Sequence, residues 1–139
     1  MLLTPVAWTL ETTFPQFGDL PGLQRPATLV FLRRLFADSP PLIRIALLAS
    51  TAVFILSPVI TIYVPLPAFL LPRALRDRHA HKLATHPIYI LRGVMLMIKT
   101  IGGLQWGADV DVRAKLAMQP YQPDPDTFRV GRDATLEQA

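Results

Sequence analysis

The chain has 139 residues, a length that fits one domain. Hydrophobic residues make up 51%, charged residues only 17%, and mean hydropathy is +0.35, whereas an average soluble domain is about 25% charged. The 14 prolines argue against long regular elements outside a few windows, and the absence of cysteine excludes disulfides, thiolate metal sites and a cysteine nucleophile.

A net charge of +4 and a pI of about 10.0 raise the question of nucleic acid, and the distribution of charge answers it. Between residues 73 and 99 stand Arg73, Arg76, Arg78, Lys82, Arg92 and Lys99 against Asp77 alone, while the last forty residues are net acidic. The basic excess therefore follows directly on the most apolar stretch, where polybasic segments meet anionic lipid headgroups. The expected partners are anionic lipid and a larger membrane complex, not nucleic acid.

In chain order, residues 1–26 carry prolines at 5, 15, 21 and 26 and read as an extended arm. Trp8, Phe14 and Phe17 are its candidate anchors on a partner, because isolated aromatics in such arms gain most from a pocket. Residues 27–37 read as a short amphipathic helix, and Asp38-Ser39-Pro40-Pro41 as a breaker and cap. From Ile45 to Leu71 there is no charge. Ile45–Val64 is long enough for one membrane span of about 30 Å, kinked at Pro58 and ended by Pro65 and Pro67. Ser57 and Thr61 are placed to rescue the carbonyl that Pro58 frees. A shallow or re-entrant insertion and a buried core helix broken at Pro58 are the alternatives. The window is no signal peptide: it lies far from Met1 and lacks a basic leader. Arg33, Arg34 and Arg44 on one side against Arg73, Arg76, Arg78 and Lys82 on the other lean towards a cytoplasmic C-terminus.

Residues 72–84 read as a basic helix with Pro72 in its first turn. Thr85-His86-Pro87 restarts a helix over 87–101 that Gly102-Gly103 is expected to stop. Arg92 and Lys99, seven apart, form a basic stripe on its broad apolar surface, which suits a membrane interface, an interhelical groove or an ordinary buried helix with snorkelling cations. Asp109 is placed to cap a short helix over 109–118. Residues 119–139 read as a second extended arm, with Tyr121 and Phe128 as candidate anchors.

Few side chains are arranged for chemistry. His79 and His81 are two apart and cannot share a metal on a helix, and His86 helps set a helix start. All three read as solvated histidines beside a basic face. The glycines match no phosphate-binding pattern, and no nucleophile–base–acid set is defined. The expected chain is not an enzyme and holds no cofactor or metal of its own.

The segment from Leu83 to Gly131 opens L-A-T-H-P-I-Y-I-L-R-G-V-M-L-M-I-K-T-I-G-G-L-Q-W-G-A-D-V-D-V-R-A-K-L. A His-Pro helix start, an apolar helix with a late lysine, an aromatic followed by Asp, and Val-Arg with a further leucine make up its pattern. It resembles the helical region preceding the flavin domain of bacterial glucose–methanol–choline oxidoreductases of the long-chain alcohol or sterol oxidase type. The resemblance implies an anchor or small subunit for a flavoprotein. It carries over no catalytic residue, since the chain has neither the G-x-G-x-x-G fingerprint nor the family's histidine.

Taken together, these features predict an all-α membrane protein with one main hydrophobic span, an interfacial basic and amphipathic helix pair and extended proline-rich arms. Its expected role is that of a non-catalytic accessory subunit anchoring a larger membrane complex. That complex would be a flavin-dependent oxidoreductase or, alternatively, a photosynthetic or respiratory assembly.

Overall fold

The structure, a computed structural model, describes residues 3–118; the C-terminal segment with Tyr121 and Phe128 lies outside the described residues. The described chain is all-helical, and its only strand-like pairing is an isolated bridge between Phe17 and Leu20. Seven α-helices follow one another: α1 (Leu3–Thr13), α2 (Arg25–Asp38), α3 (Pro41–Leu56), α4 (Pro58–Thr61), α5 (Arg73–Ala84), α6 (Tyr89–Ala108) and α7 (Val110–Lys115). A single 3-10 turn at Ala68–Leu70 lies between α4 and α5.

The N-terminal arm is not extended. Leu3, Val6, Ala7 and Leu10 have the spacing of one helical face, and Val6, Ala7 and Leu10 are fully buried. Pro5 sits in the first turn, where its missing N–H removes no helical bond. Thr9 and Thr13 stay helical by donating their hydroxyls back to Pro5 O (3.0 Å) and Thr9 O (3.1 Å). The result is a central helix that packs on α2, α3 and α6.

Beyond α1 the chain makes a strap back across the bundle. Phe17 and Leu20 exchange backbone bonds of 3.2 and 3.0 Å around Gly18, whose φ of +56° a side chain would oppose. The strap is pinned by Trp106, which donates to Pro21 O at 2.8 Å, and by Lys115, whose ammonium donates to Asp19 O.

The apolar window does not form one continuous helix. α3 begins at Pro41, four residues before the window, and ends at Leu56; α4 adds one turn after Ser57. Pro40 offers no side-chain cap to α3. Instead Arg44, the one charged residue of α3, reaches back to Ser39 O (2.9 Å) and Ala37 O (3.3 Å) and neutralises the carbonyl end of α2. Among the described residues no single helix is long and apolar enough to cross a membrane. α5 and α6 together pass that test but bend by 118° at their junction. There Ile88 N–H donates to His86 Nδ1 at 3.1 Å, so His86 does set the start of α6.

Gly102-Gly103 does not stop α6, which runs on to Ala108. A Cβ on Gly102 would lie 2.4 Å from the Phe14 ring, so the glycine is a notch that admits an aromatic rather than a terminator. α6 ends at Asp109, whose carboxylate accepts from Asp111 N (2.9 Å) and Val112 N (3.2 Å) and caps α7. α7 stops at Lys115, short of the expected 118.

The notch is testable. Gly102→Val should cost about 2 kcal/mol through overpacking. In a Phe14→Ala background the same change should cost clearly less, because the obstructing ring is gone. Urea denaturation of the four members of this cycle measures the coupling; additive effects would separate Phe14 from Gly102.

Candidate functional site

Three features of the fold bear on function, and the break at Pro58 organises them. Proline has no N–H, so the carbonyl of Phe54, four residues back, has no helical donor. His79 of α5 supplies one: its Nε2 lies 2.9 Å from Phe54 O. A carbonyl only accepts, so Nε2 carries the proton and Nδ1 is bare. Nδ1 then accepts from the Thr61 hydroxyl at 2.6 Å. Ser57 O, 3.1 Å from the same hydroxyl, is its alternative acceptor. The imidazole is fully buried and packs 5.0 Å from the Phe54 ring, centroid to centroid. His79 is therefore not a solvated histidine on a basic face but the clamp between α3, α4 and α5. Thr61 has a share in the repair, through His79; the Ser57 side-chain oxygen is buried without a partner.

The second feature is the distribution of polarity on α3 and α4. Their buried face holds Leu47 and Phe54 but also Ser50, Thr51, Ser57 and Thr61. Their exposed face holds Leu42, Ile45, Ala49, Ala52 and Leu56, alternating three and four apart, and continues in Val59, Ile60 and Tyr63. A helix on the surface of a globule normally shows the opposite pattern. Leu42 is 74% exposed and Tyr63 84%, and no charge interrupts the stripe. Tyr63 also holds a left-handed backbone, φ 57°, which a bulky side chain opposes.

The third feature is the basic set. α5 does not present Arg73, Arg76, Arg78 and Lys82 as one surface. Arg73 and Arg76 face α1 and line a groove with Trp8, Glu11 and Arg25, whereas Arg78 and Lys82 are exposed on another side of the helix. The Arg76 guanidinium lies 5.6 Å above the Trp8 ring. On α6, Arg92 and Lys99 share one exposed stripe and flank a mostly apolar groove with Tyr89 and Leu96; Arg92 stacks 5.5 Å above Tyr89.

The expected anchors of the N-terminal arm divide. Trp8 packs against the core, its ring 6.4 Å from that of Phe54, and Phe14 fills the notch at Gly102. Both are used inside the chain, because α1 is a core helix and not an arm. Phe17 is 81% exposed at the tip of the strap. Tyr121 and Phe128 lie outside the described residues.

A further buried link was not signalled by any local pattern: Gln105 donates to the Thr28 hydroxyl at 2.9 Å, joining α6 to α2 across 77 positions. The Thr28 proton goes to Gln24 O, so the Gln105 amide must donate, and its oxygen stays unpaired. Among the described residues no group of three or more His, Cys, Asp or Glu is placed to hold a metal ion.

His79→Ala should destabilise the fold by about 3 kcal/mol, by orphaning the Phe54 carbonyl and leaving a cavity. Pro58→Ala in that background should restore about 1 kcal/mol, since the new N–H can serve the same carbonyl. Burial pushes the His79 pKa below its ordinary value and outweighs the hydrogen bond to the Phe54 carbonyl, which acts in the opposite sense. The unfolded chain therefore binds a proton more readily than the folded one. Stability is full above about pH 6.5 and falls as the pH drops through that value towards the folded pKa. Denaturation midpoints measured between pH 8 and pH 5, on the order of one per half unit, should show this slope in the wild type and lose most of it in His79→Ala.

A comparison of the chain with known protein families, with curated proteins and with solved structures finds no match in any of the three.

Proposed function

We propose that the chain is a non-catalytic anchoring subunit that lays the exposed face of α3 and α4 into a lipid bilayer and holds a larger membrane complex there. The reversed polarity of that face is the observation that carries the reading. Burying the exposed part of each large side chain from Leu42 to Tyr63 is worth on the order of 1 kcal/mol. An uncharged stripe of this kind marks an interaction surface. α3 has 16 residues, about 24 Å of helix, against a hydrocarbon core of about 30 Å. Its opposite face is the protein core. Both facts favour a helix lying in the interface plane over one crossing the bilayer. Tyr63, with an apolar ring and a polar tip at the end of the stripe, suits the headgroup level.

The partner assigned first is a flavin-dependent oxidoreductase, on the resemblance carried by the segment from Leu83. On α5 and α6, Arg78, Lys82, Arg92 and Lys99 are exposed away from the groove at Trp8 and are free to meet that partner or anionic headgroups. Purification in a gentle detergent tests the partner: a flavin spectrum in the complex supports this assignment, and haem or pigment absorbance moves it to a respiratory or photosynthetic assembly.

The membrane assignment has its own test. Ile45→Lys with Leu56→Lys changes two exposed side chains, so the melting temperature should hold. Retention on membranes washed with carbonate should be lost, at about 2.5–3.5 kcal/mol for each charge that is driven to the bilayer centre and less nearer the headgroups. Unchanged retention would end the proposal. Tyr63→Gly should give the same signature without adding charge. It relieves the left-handed backbone and should keep or raise stability, while it weakens membrane retention.

A further inference from the structure

Two grooves meet at Trp8. One, of about 450 Å³, is apolar and is lined by Thr4, Pro5, Trp8, Arg25, Ile55 and Phe69. The other, of about 330 Å³, is polar; it shares Trp8 and Arg25 and adds Arg73, Arg76, Glu11 and Asp77 among its walls. Both fall in the size range of small-molecule sites. Their three guanidiniums are not equally committed. Arg25 is held by Glu11, with its closest contact at 3.0 Å. The Arg73 side chain makes no ion pair or hydrogen bond among the described residues, and neither does that of Asp77. Arg76 stacks on Trp8, but its Nε is buried without a hydrogen-bond acceptor.

An occupant that suits both halves has an anionic head and a hydrocarbon tail. A phosphate offers several acceptor oxygens to a guanidinium fork, which matches Arg73 and Arg76 better than a single point contact would. Ile55 and Phe69, the latter 56% exposed, offer the tail an apolar wall beside the indole of Trp8. We propose that these joined grooves bind one anionic phospholipid, its phosphate on Arg73 and Arg76 and one acyl chain along Trp8, Ile55 and Phe69. The inference rests on the membrane reading in that the lipid comes from the bilayer which α3 enters. It separates Arg73 and Arg76, which hold a particular lipid, from Arg78 and Lys82, which do not line the site.

The test uses the full chain in neutral detergent micelles, in a Trp106→Phe background that leaves Trp8 as the single tryptophan, and reads quenching of Trp8 fluorescence by lipids brominated on the acyl chain. Brominated phosphatidylglycerol should quench at roughly tenfold lower concentration than brominated phosphatidylcholine, the effect of one charge-assisted contact. Arg73→Gln with Arg76→Gln should erase that preference, while Arg78→Gln with Lys82→Gln, an equal loss of charge, should keep it. Arg73→Gln alone alters an exposed side chain without partners, so it reports on the site even if the double variant fails to fold. Equal quenching by the two lipids would overturn the proposal, as would equal weakening by both double variants. A match between brominated phosphatidylglycerol and a brominated fatty acid would overturn the phosphate assignment. Flotation on neutral liposomes runs beside it: a wild-type chain that does not float defeats the membrane reading, whereas the quenching series alone decides the lipid site.

Discussion

Phe54 loses its helical donor at Pro58 and recovers one from His79, 25 positions further along the chain. That exchange turns an interruption within a helix into a contact between helices. A buried carbonyl cannot stay unpaired at low cost, so the break is tolerated only where α5 delivers an imidazole to it. The same residue carries the packing. The Phe54 ring touches His79 on α5 and Trp8 on α1, and Trp8 in turn lies beneath Arg76. α1, α3 and α5 are thus held in mutual register through one phenylalanine, whose backbone meets α5 and whose side chain meets both α5 and α1.

The cost of this arrangement is a core with an unusual share of polar groups. Thr9, Thr28, Ser50, Thr51, Ser57, Thr61, His79 and Gln105 are all buried. Most of the threonines satisfy themselves within their own helix, as Thr51 does on Leu47 O at 2.9 Å. Hydroxyls that bond their own backbone present methyl groups to their neighbours and pack as small apolar side chains. With Ser50 and Thr51 on its inner face beside Leu47 and Phe54, α3 carries Leu42, Ile45 and Leu56 on the outside. The apolar exterior and the polar interior are therefore two sides of one allocation along a single helix.

Much of the helical order could be read from the sequence, because it is written in local spacing. The all-helical class, the restart of the chain at His86 and the capping carboxylate of Asp109 all follow from neighbours within a few positions. What could not be read depends on residues that meet from far apart. Gly102-Gly103 has the composition of a helix end; only Phe14, 88 positions away, makes it an interior notch (102 − 14). His79 stands among basic residues and has the composition of a solvated side chain; only Pro58, on another helix, gives it a buried task. In α1 the helical spacing of Leu3, Val6, Ala7 and Leu10 was present, but four prolines between 5 and 26 weigh more heavily in a reading by composition. Of the cationic residues, their helix was legible and their division between two sides of it was not.

The strap between α1 and α2 has a consequence for the order in which the molecule is made. Its fastenings, Trp106 on Pro21 and Lys115 on Asp19, join positions 85 and 96 apart, and Gln105 reaches Thr28 across 77. Contacts of such separation form late, after the loop between them has closed. A ribosome elongates the chain from its N-terminus at roughly 5–20 residues per second. α3 is therefore complete several seconds before the last turn of α6 exists to receive α1. During that interval its greasy side meets whatever lies at the exit of the ribosome, while its eventual inner side still lacks the partners that will hide its hydroxyls. Vectorial synthesis thus exposes the outward stripe first, and the strap and the far end of α6 close the bundle only afterwards.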